Sequence, residues 1–173
     1  MFPEPVHYSR TDCPAGWKIR DWDTANKLLS YFDSERRPFA IFTLPDNSYV
    51  QCLGMKTRLT VEAREFRPDG SFTHWVFGRG EPAGLQESIE VSTGVTVVDS
   101  TQILAMRDAR LIIRQFLETR TFPADYYRQD VTDLLHRTAT PNTWCRGHPR
   151  NLLHSQTEIE TRSPKTSSAH TAG

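Results

Sequence analysis

Three side chains between Lys56 and Phe77 have the types needed for acid–base chemistry: Glu62, Arg64 and His74. A carboxylate accepts a proton, an imidazole gives or takes one near neutral pH, and a guanidinium holds an anion. They flank Arg67-Pro68-Asp69-Gly70, in which Pro suits the first corner of a type I turn and Gly the left-handed position of a bulge. A plain two-residue loop would set Ala63 opposite His74 and Glu62 opposite Trp75. A Gly-bulged loop instead pairs Ala63 with Trp75, Arg64 with His74 and Phe66 with Phe72. The second gathers Leu59, Val61, Ala63, Trp75 and Phe77 on one face and leaves Glu62, Arg64 and His74 on the other, within cross-strand reach. The bulged register is therefore expected. Such a polar face also occurs on the solvent side of an ordinary antiparallel sheet, so the residue types leave catalysis, ligand binding and simple solvation open.

A second constellation runs Asp125-Tyr126-Tyr127-Arg128-Gln129-Asp130. Tyr and Arg are favoured at the centres of protein interfaces, and acidic neighbours suit a basic partner. The structural alternative has one tyrosine packing under the preceding helix and Asp130 capping the next one. Metal chemistry finds little support: four of the six histidines are His136, His148, His154 and His170, and Cys145-Arg-Gly-His148 has no second ligand pair at zinc-like spacing. No Gly-x-Ser-x-Gly, His-Glu-x-x-His or phosphate loop is present. The expectation is a protein without cofactor, metal or catalytic group, whose partner-binding residues are Glu62, Arg64, His74, Asp125, Tyr126, Tyr127 and Asp130. A small enzyme or ligand-binding domain using the Glu62/Arg64/His74 face is the alternative.

Composition narrows the partner. Lys+Arg 21 balance Asp+Glu 21 over 173 residues, which argues against nucleic acid. No run approaches the ~18 apolar residues of a membrane span, and the N-terminus has no apolar signal core. Three scattered cysteines, Cys13, Cys52 and Cys145, point to a reducing compartment, hence the cytoplasm.

The elements that must position these residues follow from periodicity. Asp21 is a good N-cap for a helix with Trp22, Ala25, Leu28, Leu29 and Phe32 on one face. Strands are expected over 39–44, 49–53, 56–66, 72–77, 85–91 and 95–98. A capping box at Asp99 and Gln102, with Val98 and Ile103 as staple, predicts a long helix starting there. Its apolar half holds Ile103, Met106, Ala109, Ile112, Ile113, Phe116 and Leu117. Arg107, Asp108, Arg110 and Arg114 fall on its polar half, interrupted by Leu104 and Leu111. Residues 1–15 read as an irregular lead-in and 138–173 as a disordered tail poor in apolar side chains. Between them, 16–137 reads as one α+β domain: an antiparallel sheet of five to six strands with two main helices on one face. Leu59, Val61, Ala63, Trp75, Phe77, Ile103, Met106, Ile113 and Phe116 are its expected core.

Within residues 95–130, a short strand and a polar break lead into Ile103-Leu104, then Arg114-Gln115-Phe116-Leu117-Glu118-Thr119 and Phe122-Pro123. This stretch resembles the C-terminal half of the Imm1-like immunity proteins of bacterial polymorphic-toxin systems. In that family strands precede a helix that ends in a Phe-containing motif, a Thr-Gly-type turn and a Pro; Phe116, Thr119 and Pro123 correspond. Arg120 stands where the family favours Gly, and Tyr126-Tyr127 where a Trp is common. The resemblance implies a cytoplasmic α+β protein that binds a cognate toxin domain and blocks its active site.

Overall fold

The computed structural model describes residues 1–138; the expected tail lies outside the described residues apart from its first residue. The chain is α+β. Seven antiparallel strands form one sheet: β1 (Val6–Arg10), β2 (Cys13–Ile19), β3 (Phe39–Thr43), β4 (Tyr49–Met55), β5 (Arg58–Phe66), β6 (Phe72–Gly78) and β9 (Tyr127–Asp130). Their spatial order is β2-β1-β3-β4-β5-β6-β9, while β7 (Gln86–Val91) and β8 (Gly94–Asp99) pair only with each other. The helices are α1 (Trp22–Leu29), α2 (Met106–Thr119) and α3 (Thr132–Thr138). A sheet of five to six strands is thus close, but the count is corrected: the 85–98 strands leave the main sheet, and three other strands join it.

One of those three, β1, lies within residues 1–15, expected to be an irregular lead-in, and a second, β2, begins at the end of that segment. Val6 and Tyr8 turn inward on β1 and are buried, and β2 runs along the sheet edge. The prolines that argued against regular structure are compatible with this arrangement. Pro3 and Pro5 precede the first strand, and Pro14 sits on an edge, where a missing N–H is tolerated.

The bulged register holds. Ala63 pairs with Trp75, Arg64 with His74 and Phe66 with Phe72. In the turn, Gly70 N–H donates to Arg67 O at 2.9 Å and Arg67 N–H to Ser71 O at 2.8 Å. Gly70 has φ +82°, a left-handed value that favours a residue lacking Cβ.

The core lies between the inward face of the large sheet and α1 with α2. Leu59, Val61, Ala63 and Phe77 are buried with Ile113 and Phe116, Met106 joins them, and Trp75 packs against the cluster half-buried. At α1 the Asp21 cap is as expected, its carboxylate accepting from Thr24 N–H at 2.7 Å.

The predicted long helix is displaced. Asp99 and Gln102 do form a capping box, but around a single 3-10 turn, Ser100–Gln102, and α2 begins only at Met106. Between them Leu104 exchanges both backbone hydrogen bonds with Leu59, at 2.9 and 2.8 Å, extending the sheet beside β5. This is why Leu104, expected on a polar helix face, is buried, whereas Ile103, expected in the core, is only half-buried. Leu111, within the real helix, is exposed as the periodicity required. No helix among the described residues is long and apolar enough to cross a membrane.

Candidate functional site

Alternation along β4, β5 and β6 puts Gln51, Glu62, Arg64 and His74 on the sheet face opposite the helical core. That face is not open. The β7–β8 hairpin and α3 stand over part of it and leave a cleft of about 280 Å³ with Glu62 and His74 at its floor. The hairpin is held by Asp99, whose carboxylate accepts from the backbone N–H groups of Ala83 (3.0 Å), Gly84 (2.7 Å) and Thr101 (3.0 Å). The Thr101 hydrogen bond foremost, with those of Ala83 and Gly84, lowers this carboxyl to about 2. Arg58 on β5 also reaches Glu87 on β7 at 2.7 Å. On the other side, Val131 N–H donates to His74 O at 2.9 Å and His74 N–H donates to Thr132 Oγ1 at 2.9 Å, docking the start of α3.

Glu62 and His74 in the cleft floor form a chain with Arg64, which lies outside the lining. Arg64 Nε donates to His74 Nδ1 at 3.3 Å, and His74 Nε2 lies 3.3 Å from Glu62 Oε2, which also accepts from Gln51 Nε2 at 2.9 Å. Arginine has only donors, so Nδ1 must present its lone pair and the ring proton must sit on Nε2, directed at Glu62. Both ring nitrogens are therefore engaged, and the ring is buried. The Arg64 guanidinium is itself pinned over the Phe72 ring, 4.3 Å from its centroid. The set is a polar network in which both His74 ring nitrogens and one Glu62 oxygen are engaged.

The four predicted binding residues of the second constellation separate. Tyr126 packs toward the helical side, its hydroxyl donating to Asp108 Oδ1 on α2 at 2.9 Å, as the structural alternative foresaw. Asp130 pairs across from Trp75 and accepts from Thr132 N–H (2.9 Å) and Thr132 Oγ1 (2.5 Å), so it shapes the entry to α3. The Thr132 hydroxyl, with its N–H, holds the Asp130 carboxyl below the usual range. Asp125 and Tyr127 are exposed. Tyr127 shares a face of β9 with Gln129, which lines the cleft and accepts from Gln102 Nε2 at 2.7 Å. Neither Tyr127 nor Asp125 lines the cleft itself.

One further cluster centres on Asp108. Asp108, placed on the polar half of a helix, is 3% exposed and accepts from Arg79 Nη2 (2.7 Å), Tyr126 Oη (2.9 Å) and Ala105 N–H (2.9 Å). Burial alone would push this carboxyl up; the Ala105 N–H, the Tyr126 hydroxyl and Arg79 outweigh it and hold it low. Burial, then the Asp108 carboxylate, pushes the Tyr126 hydroxyl up to about 12. An Asp three residues after a helix start was the available signal, since there it accepts from the cap N–H.

Two apolar side chains that line the cleft are exposed, Val95 at 50% and Leu134 at 47%; Leu85, at 64%, adjoins the lining residues Gly84 and Gln86, and Tyr127 is 37% exposed on β9. Cys13 and Cys52 are unpaired, and burial pushes the Cys52 thiol up to about 12, which makes it inert. Cys145 and the Cys145–His148 spacing lie outside the described residues. No group of three metal-ligating side chains occurs among the described residues. No protein-family model matches the chain, and no match was found among curated proteins.

Proposed function

We propose that the chain is a non-catalytic protein-binding module, an immunity-type inhibitor that works in the cytoplasm and neutralises a cognate toxin by direct binding. The observation that carries this reading is the exposed apolar side chains of Val95 and Leu134 at a cleft whose His74 already has both ring nitrogens engaged, by Arg64 and Glu62. Large exposed side chains beside a polar floor are the composition of a protein interface. The chemistry of the floor adds to the reading, because freeing His74 for proton transfer would dismantle the Arg64 and Glu62 contacts. The Imm1-like resemblance over 95–130 points the same way, with the toxin domain as the partner and neither nucleic acid nor membrane required.

The test is co-expression with the product of the adjoining reading frame. A stable complex on gel filtration, together with loss of that product's toxicity, is the expected outcome. Leu134→Asp and Tyr127→Ala should each weaken the complex tenfold or more, as central interface residues do. An adjoining product that stays toxic and does not co-elute overturns the proposal. The covered cleft favours one second reading, a small-molecule site over Glu62 and His74. Turnover or saturable binding of a small molecule, abolished by His74→Ala and indifferent to Leu134→Asp, would replace the first reading with this one.

A further inference from the structure

The floor of the cleft holds one carboxylate that is only half used. Glu62 Oε2 accepts from Gln51 and His74, whereas Oε1 has no hydrogen-bond partner among the described residues, although the side chain is only 14% exposed. The other carboxylate at the cleft, Asp99, has both oxygens filled by backbone N–H groups. No lysine or arginine is among the described residues that line the cleft, and the Arg64 guanidinium is turned onto Phe72 instead. The walls combine apolar Val95, Val97, Val131 and Leu134 with the neutral polar Gln86, Thr96, Gln102 and Gln129. An acceptor at depth, with no cation of its own and apolar side chains along part of the wall, complements a long apolar stem carrying a cationic head. In so restricted a space the attraction is screened far less than at an open surface.

We infer that the cleft takes an arginine or lysine side chain projected from the protein partner, with the charged head on Glu62 Oε1 and the stem against Val95, Val97 and Leu134. The inference rests on the protein-binding reading for the source of the side chain, but its chemistry stands on the cleft. Glu62 would then act as the specificity residue of the interface, and the chain Gln51–Glu62–His74–Arg64 as the device that fixes its carboxylate. Binding of a partner segment with a neutral residue at that position would leave a buried charge unanswered, which is how such a site rejects the wrong partner.

Titration of the full chain with acetyl-arginine amide, followed by amide and methyl NMR shifts, tests this directly. The expected result is a saturable response at Glu62, His74, Val95 and Val97. The neutral citrulline counterpart should produce none. Glu62→Gln preserves the shape and the hydrogen bonds to Gln51 and His74, so it should melt like the parent while binding the arginine probe at least tenfold more weakly. Val97→Trp, which fills the cleft from the small hairpin without touching the main core, should abolish the response. Equal responses to arginine and citrulline, shifts mapping elsewhere, or retained binding in both variants would overturn the inference. The two readings fail separately. If the adjoining product binds Glu62→Gln as tightly as the parent, the inference falls and the proposed function stands. If the arginine probe occupies the cleft but no toxin is bound, the cleft chemistry stands and the immunity reading falls.

Discussion

Arg120 closes α2 in a left-handed conformation, φ 60° and ψ 24°, with its N–H donating to Phe116 O at 3.0 Å. A residue with a Cβ pays about 1–2 kcal/mol for that conformation. Its side chain returns part of the cost: Nη1 lies 3.1 Å from Asp46 in the β3–β4 turn and Nη2 3.1 Å from Glu4 ahead of β1. The arginine and both carboxylates are more than a third exposed, so each pair is worth at most about 1 kcal/mol, and less in salt. Arg120→Ala keeps the backbone cost and loses both pairs, and should destabilise by about 0.5–1 kcal/mol. Arg120→Gly loses the same pairs but removes the cost, less up to about 1 kcal/mol for the extra freedom of glycine in the unfolded chain. The glycine variant should therefore exceed the alanine variant by about 0.5–1 kcal/mol in urea denaturation. At 1 M NaCl the arginine–alanine gap should close while the glycine–alanine gap persists. A glycine variant no more stable than the alanine one would refute the claim that this position carries backbone strain. The outcome also bears on the Imm1-like resemblance, which favours glycine here.

Asp108→Asn should cost about 1–3 kcal/mol and Tyr126→Phe about 1 kcal/mol, with a double-mutant sum smaller than the parts, because both remove one shared contact; thermal melts of the three variants check this. Gly54→Ala should be among the most damaging single-methyl changes, since a Cβ there would lie 2.4 Å from Arg58 O at φ +135°; a melting temperature within a degree of the parent would contradict it. With the Asp99 carboxyl at about 2 when folded and about 3.9 when unfolded, its stabilising contribution is complete above about pH 4 and is lost as the pH falls toward 2. Hydrogen exchange at the Ala83, Gly84 and Thr101 amides should accelerate over that window, ahead of amides in β4 and β5.

What could be read from the sequence was whatever repeats locally. The β5–β6 register was legible because one slip would have exchanged an apolar face for a charged one. The Asp21 cap and the apolar stripe of α2 were legible because caps and periodicity act within a few residues. Residues 1–15 were misread because their prolines argued against regular structure, whereas Val6 and Tyr8 turn inward to anchor β1 and the edge strand β2 tolerates the N–H that Pro14 lacks. The start of α2 was misread because the Asp99 capping box is real but ends after one turn, where Leu104 finds a better partner in Leu59, forty-five positions earlier in the chain. The same limit applies to the site. Glu62, Arg64 and His74 were brought together correctly, but nothing local announced that the β7–β8 hairpin would roof them, or that Asp108 would be buried under Arg79 and Tyr126.

The strand order also dictates when the fold can be completed. β9 leaves the ribosome long after β6, yet it is the strand that covers β6, with the β7–β8 hairpin, the 3-10 turn and all of α2 emerging in between. Until residue 130 is free, the Trp75–Phe77 strand has an unpaired backbone edge, and until α2 arrives its apolar face lacks its cover. Closing so long a loop is slow, since its entropy is lost before its contacts form. A nascent chain of this protein therefore carries a sticky edge for much of its synthesis, and truncation anywhere between β6 and β9 should aggregate rather than yield a smaller folded unit.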